Sequence, residues 1–326
     1  MIISRTPLRM SFVGGGSDLP AFYRLQPGAV LSTSIDKYVY VTVNAKFDER
    51  LRISYSRTEE AGSVGKVKHP LVREALRKLG IEGGLEITSI ADIPSRGTGL
   101  GSSSSFTVGL LHALHAYQGR YCSAEQLAEE TCEIEIERCG EPIGKQDQYA
   151  AAYGGLSFIQ FFPDESVSVE PVLCRRETVR SLEENILMFY TGITRKASSI
   201  LKAEQEQIGS NKGKQKILMR MVDLARQLKH ELEKNNLDAF GQIIHENWLL
   251  KKSIADHVSS DRIDNWYQAA RGAGALGGKL LGAGSGGFLM FYAAREKHQS
   301  ITRALQDLRR IQVGFEPLGS RIIFVH

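Results

Sequence analysis

The stretch Pro94-Ser-Arg-Gly-Thr-Gly-Leu-Gly-Ser-Ser-Ser-Ser105 constrains this chain more than any other. Gly97, Gly99 and Gly101 allow successive backbone N–H groups to turn inward, and Ser102, Ser103, Ser104 and Ser105 follow at once. The next residues, Phe106 to Tyr117, place Phe106, Leu110, Ala113 and Tyr117 at helical spacing, which predicts a helix over 103–118. A glycine nest opening onto a helix N-terminus is a seat for phosphate groups. The plain alternative is a flexible Gly/Ser linker, but linkers do not usually run straight into an apolar helix.

Two better-known phosphate loops are excluded. No window carries the Walker A pattern, and Gly282-Ala-Gly284-Ser-Gly-Gly287 matches a dinucleotide fingerprint in letters only. The residues after it, Phe288-Leu-Met-Phe-Tyr292, read as a strand, whereas the fingerprint opens a helix. It remains a turn where backbone approaches a ligand or another element, and Gly284 is a candidate for the substrate side.

A phosphate nest with hydroxyls at its mouth suits a nucleotide and its Mg²⁺. Phosphoryl transfer then needs a fixed cation, a further oxygen ligand and a carboxylate base. Asp147, in Gly140-Glu-Pro-Ile-Gly-Lys-Gln-Asp147, opens a short Ala-rich helix and is either that base or an ordinary helix cap. Glu135 and Glu137 lie near the end of an acidic helix expected over 124–139, as oxygen ligands or as solvated surface. Arg5 and Arg9 flank Pro7 in a strand expected over 2–13, which ends in Gly14-Gly-Gly-Ser-Asp18. Three glycines after a strand mark close backbone approach, or a simple turn.

Together these segments resemble the three motifs of the GHMP kinases, the family of galactokinase, homoserine kinase and mevalonate kinase. Pro7-Leu-Arg9 through Asp18 is similar to the first motif, Pro94–Ser105 to the second, and Lys279-Leu-Leu-Gly-Ala-Gly-Ser-Gly-Gly-Phe288 to the third. The resemblance implies an α+β fold of two domains, ribosomal-S5-like over 1–180 and ferredoxin-like over 181–326, with the active site in their cleft. It implies ATP and Mg²⁺ as cofactors. Asp147 matches the catalytic aspartate, Arg9 the basic partner of the transferring phosphoryl group, and Ser103 a Mg²⁺ ligand. Glu135, rather than Glu137, matches the metal-binding glutamate. Pro94, Arg96, Gly97, Gly99, Leu100, Gly101, Ser102, Ser103 and Ser104 match the nucleotide loop, and Asp18 a sugar-hydroxyl acceptor.

Gly15-Gly16 before Ser17-Asp18 departs from the Glu-His of galactokinases. Those missing side chains touch the end of the sugar remote from C1, so their loss opens space there and removes a carboxylate that repels an anion. With Leu31-Ser-Thr-Ser-Ile-Asp-Lys-Tyr38 and Pro142-Ile-Gly-Lys-Gln-Asp-Gln-Tyr149, the pattern is most similar to the heptose-phosphate branch, which phosphorylates the anomeric hydroxyl of a sugar phosphate. The fucokinase branch is the alternative, and a catalytically inactive sugar sensor is the non-enzyme alternative. Arg195 and Lys196, at the start of an expected helix, and Lys145 are candidate cations for the sugar's phosphate; Arg195 and Lys196 read equally as a solvated first turn.

Composition agrees. The 326 residues carry a net charge of +4, too little to mark a nucleic-acid binder. Apolar runs fall short of a membrane span, and no signal-peptide pattern opens the chain. Cys122, Cys132, Cys139 and Cys174 form no C-x-x-C pair, which predicts a reduced, cytoplasmic setting. His112 and His115 share a helix face without making a zinc site. The expected partners are a small sugar phosphate and ATP, with no nucleic acid and no membrane, in a monomer or homodimer. Further strands are expected at 29–33, 37–46, 51–55, 84–90, 155–162, 166–173, 185–191, 287–293 and 321–325. Further helices are expected at 70–79, 146–152, 194–208, 213–234, 237–256, 261–271 and 295–311.

Overall fold

The computed structural model describes residues 1–93, 97–194, 197–255, 258–284 and 286–326, with the side chains of 197–200 left aside. The first strand is β1 (Ile2–Val13), alternating as expected until its apolar residues are buried on both faces. It pairs antiparallel along nearly its whole length with β2 (Gly28–Ala45). Where the sequence suggested two strands, β2 is one strand of 18 residues. Its far edge changes partner midway, from β6 (Leu156–Phe161) over Gly28–Thr33 to β5 (Leu85–Ala91) over Val39–Ala45. Pairing with β1 on either side of Asp36 and Lys37 carries the chain across the intervening polar residues. A shift in that pairing falls beside Pro7, which has no N–H to give to the ladder.

The sheet is completed by β3 (Leu51–Ser54), β4 (Thr58–Ala61), β7 (Val167–Pro171) and the last strand of the chain, β12 (Arg321–Val325), on the free edge of β1. A second sheet has the order β11-β8-β10-β9, from β8 (Ile186–Tyr190), β9 (Gly277–Leu280), β10 (Phe288–Tyr292) and β11 (Arg309–Ile311). Strands and helices are mixed, giving an α+β fold. A division of the chain at 180 cuts α6 (Arg176–Glu184), and β12 returns to the first sheet.

The remaining helices are α1 (Pro20–Tyr23), α2 (Pro70–Leu79), α3 (Ser102–Tyr117), α4 (Ala124–Cys132), α5 (Gln146–Tyr153), α7 (Ala197–Ser210), α8 (Lys212–Glu233), α9 (Phe240–Lys252), α10 (Asp261–Gly272) and α11 (His298–Ala304). Helix α3 buries Val108, Leu110, Leu111, Ala113 and Leu114, as an interior helix must. Two expected helices differ. The one over 295–311 ends at Ala304, and Arg309–Ile311 instead pairs with β8, since an open sheet edge offers backbone partners that local propensity does not reveal. The one over 124–139 changes at Cys132 into a π-helical turn, Glu133–Arg138. Such wide turns often mark functional positions.

Candidate active site

One cavity of about 710 Å³ gathers the three motifs. Its wall holds Arg9 and Ser11 from β1, Ser102–Ser104 from the start of α3, Asp147 from α5, and Gly282 and Ala283 from the turn after β9. The nucleotide loop and the third motif meet backbone to backbone. A Cβ on Gly99 would lie 2.2 Å from the Leu281 carbonyl oxygen, and one on Gly282 would lie 2.4 Å from the Gly99 Cα. Glycine is required on both sides because no side chain fits between the chains.

Arg9 is 3% exposed. Its Nε donates to Asp147 Oδ1 at 2.7 Å, its Nη1 donates to the Gly99 carbonyl at 2.7 Å, and its backbone N–H donates to the Leu100 carbonyl. Asp147 does not cap α5: the cap position is Lys145, and no side chain caps it. The carboxylate is held instead against the mouth of α3, where a Cβ on Gly101 would sit 3.3 Å from its Oδ2. The amides of the first turn of α3 have no carbonyl within the helix to bond, which leaves them for an anion in the cavity.

Glu135 sits in the π-helical turn and is 1% exposed, while Glu137 on the same turn faces solvent. The Glu135 carboxylate accepts hydrogen bonds from Ser104 Oγ (2.7 Å), Thr107 Oγ1 (2.9 Å) and Gln148 Nε2 (2.8 Å). Burial nonetheless pushes it up to about 7, against those three hydrogen bonds and with help from the Asp147 charge. Ser103, exposed at the cavity, donates to Glu135 Oε1 at a long 3.4 Å. Among the described residues no three His, Cys, Asp or Glu side chains come together as a metal cage. One buried carboxylate and a hydroxyl beside a phosphate seat are nonetheless an all-oxygen donor set, which fits Mg²⁺ held jointly with substrate phosphates.

The turn after β1 presents Asp18, 3% exposed. Its Oδ1 accepts from the Gly16 N–H at 2.9 Å. Burial raises its carboxyl, the Gly16 bond opposes this, Asp147 adds to it and Lys251 opposes it. Gly144 is packed so closely that a Cβ there would fall 1.9 Å from Asp18 Oδ2. Ser17 is spent on the turn itself, donating to the Gly14 carbonyl at 2.8 Å, and lies outside the cavity wall.

The space beside Gly16 is filled, contrary to the expectation of an opening. Lys251 of α9 donates to Glu204 of α7 and, at 3.2 Å, to the Gly15 carbonyl. A Cβ on Gly16 would meet Glu204 Oε1 at 2.6 Å and Lys251 Nζ at 3.0 Å. Lys279 of β9, also buried, donates to the Ser11 carbonyl at 2.8 Å. Burial, then Lys251 and Arg9, push its ammonium down to about 7, with Asp18 opposing.

The cavity thus brings together Arg9, Gly15, Gly16, Asp18, Gly97, Gly99, Gly101, Ser102, Ser103, Ser104, Glu135 and Asp147. Leu100 turns its side chain into the core and contributes its carbonyl to Arg9. Lys145 is not a cavity cation: its ammonium is drawn to Glu165 Oε2 at 2.6 Å and lies over the Tyr23 ring. Gly284 is likewise off the wall, packed on the Val258 backbone. Pro94, Arg96, Arg195 and Lys196 lie outside the described residues. Sequence reasoning passed over Ser11, Lys251, Lys279 and Glu204. Ser11 was legible, two residues after Arg9 on the same strand face; Lys251 and Glu204 carry no local signal.

Residues 66–155 match the model of the GHMP kinases N terminal domain, and residues 228–310 match that of GHMP kinases C terminal. A D-glycero-alpha-D-manno-heptose 7-phosphate kinase of Campylobacter jejuni is 29% identical over 320 residues, covering 94% of this chain and 93% of that protein. A bifunctional fucokinase/GDP-fucose pyrophosphorylase of Arabidopsis thaliana is 27% identical over 92% of this chain, which spans 31% of that protein. The crystal structure of a D-glycero-D-manno-heptose 1-phosphate kinase from Bacteroides thetaiotaomicron superposes with a TM-score of 0.83 at 25% identity, covering both chains completely. Among the described residues no helix is long and apolar enough to cross a membrane.

Proposed function

The chain belongs to the GHMP kinase family as a sugar kinase, and we propose that it transfers the γ-phosphoryl group of ATP to the anomeric hydroxyl of D-glycero-D-manno-heptose 7-phosphate. The observation that carries this reading is the Arg9–Asp147 pair, held at 2.7 Å between the serine-rich start of α3 and the turn bearing Asp18. Relatives named for heptose phosphates support the choice of sugar.

In this reading the α3 amides and the loop Gly97–Ser104 hold the phosphates of ATP. Asp18 accepts a sugar hydroxyl and fixes the ring. Asp147 takes the proton of the attacking hydroxyl as its oxygen bonds to the γ-phosphorus, and the bond to the bridging oxygen breaks to release ADP. Arg9 stays charged throughout and faces the charge that gathers on the phosphoryl oxygens. Glu135 and Ser103 would hold Mg²⁺, which supplies positive charge to the phosphates. Asp147 keeps its position without a helix-cap role, which frees its carboxylate for this work.

A substrate panel with ATP and Mg²⁺, followed by ADP release, tests the reading: heptose 7-phosphate, mannose 6-phosphate, unphosphorylated heptose, galactose and L-fucose. Heptose 7-phosphate is expected to give the highest kcat/KM. Faster turnover of galactose or L-fucose refutes the substrate, and no ADP in a single turnover with any sugar refutes the enzyme.

A further inference from the structure

One part of the cavity wall gathers two ammonium groups and a hydroxyl, those of Lys279, Lys251 and Ser11. Lys279 carries three N–H groups as an ammonium, and the structure assigns one of them, to the Ser11 carbonyl. Among the described residues no carboxylate pairs with it. The Ser11 hydroxyl, also buried on the cavity wall, has no partner. Lys251 stands beside them, and its carboxylate partner Glu204 is itself incompletely satisfied, with Oε2 unbonded. Asp18 does not serve as the missing acceptor: its oxygens already take the N–H groups of Gly16 and, at 3.4 Å, Gln146.

We propose that Lys279, the Ser11 hydroxyl and Lys251 form the seat for the phosphate that the sugar substrate already carries. Two ammonium groups and a hydroxyl with N–H and O–H groups left over suit a group that only accepts, and a phosphate dianion is such a group. An unpaired buried ammonium is costly, and burial with the like charges of Lys251 and Arg9 pushes this one down to about 7. Ser11 follows Arg9 by two residues on β1, so the two share a strand face and the same cavity wall. Glu204 and the Gly15 carbonyl take two of the Lys251 N–H groups, which leaves the third for the phosphate. The missing side chain at Gly16 leaves room for Lys251 and Glu204 instead of open solvent.

This inference rests on the sugar-phosphate reading above, and one experiment separates the two. The ratio of kcat/KM for heptose 7-phosphate to that for unphosphorylated heptose is measured for the native protein, Lys279→Met, Lys279→Arg, and the paired variant Lys251→Met with Glu204→Gln. The paired variant avoids leaving Glu204 buried without its cation, so the test survives if Lys279→Met does not fold. The ratio is expected to fall by about 10- to 100-fold in each Met variant, the range for a hydrogen bond to a charged group. The loss should appear in KM for the phosphorylated sugar, with kcat and the unphosphorylated sugar held within about threefold, and Lys279→Arg should recover most of it. A native protein that shows no preference for the phosphorylated sugar overturns the substrate reading and this inference with it. A native preference that survives in both Met variants overturns this inference alone. Equal losses for both sugars place the lysines in phosphoryl transfer or in the fold, and also overturn it.

Discussion

Replacing Asp147 with Asn tests the chemistry with little disturbance to the fold. The amide keeps an oxygen where Oδ1 accepts from Arg9 Nε at 2.7 Å, so the guanidinium retains that contact and its bond to the Gly99 carbonyl. What disappears is the negative charge and the ability to take a proton. Loss of a general base costs about 10²- to 10⁴-fold in rate. The cost in stability is smaller. Removing one partner of a fully buried ion pair costs about 3–5 kcal/mol, but the Asp147 side chain is 25% exposed and the acceptor atom remains, so about 1–2 kcal/mol is expected. The assay follows ADP release under saturating ATP, Mg²⁺ and heptose 7-phosphate, with ATP affinity measured separately by titration. The expected result is kcat lowered at least about a hundredfold, with ATP affinity within about threefold of native, since the α3 amides are untouched. A variant that turns over within about tenfold of the native rate refutes the base assignment, because no other effect of the substitution compensates a lost proton acceptor.

Two further outcomes follow from the packing around the cavity. Gly144→Ala brings a methyl to within 1.9 Å of Asp18 Oδ2, so the carboxylate must leave its place; sugar KM should rise by about tenfold or more with ATP KM little changed, checked by initial rates. Glu135 has its folded value pushed up to about 7 from an ordinary 4.5, so the folded protein holds a proton that the unfolded chain releases. Stability therefore falls as pH rises from about 4.5 to about 7, by at most about 3 kcal/mol, and Mg²⁺ at the carboxylate should reverse the fall. Thermal melts across that range, with and without Mg²⁺, measure it. Glu135→Gln should flatten the profile and abolish the Mg²⁺ effect, whereas Glu137→Gln, on the solvent-facing side, should leave both as they are.

The nucleotide seat was legible in the sequence because its parts are local. Gly97, Gly99 and Gly101 act on their own dihedral angles, and the serines and apolar residues behind them form a helix by near-neighbour spacing alone. Arg9, Asp18 and Asp147 were also legible, each at a mark that glycine or helix onset leaves in the chain. Between Glu135 and Glu137 the residues themselves left both open, and only the resemblance favoured Glu135. An α-helix and a π-helical turn have the same residues in the same order, and the wider turn was fixed only by what packs around it. The long β2 and the short β11 likewise depend on which edges are free to pair, as backbone hydrogen bonds between distant strands have no side-chain code.

The charged groups show the same division. Lys145, two residues before Asp147, looked like a site cation by proximity in sequence, yet it serves Glu165. Lys251 and Glu204, 47 residues apart, meet against a glycine of the first motif, and Lys279 reaches a carbonyl 268 residues earlier. Sequence sets which side chains carry charge and which backbone segments turn. A buried ion, however, takes as its partner whatever the closing of the chain brings within hydrogen-bond reach, because the cost of leaving it unpaired is paid in three-dimensional contacts.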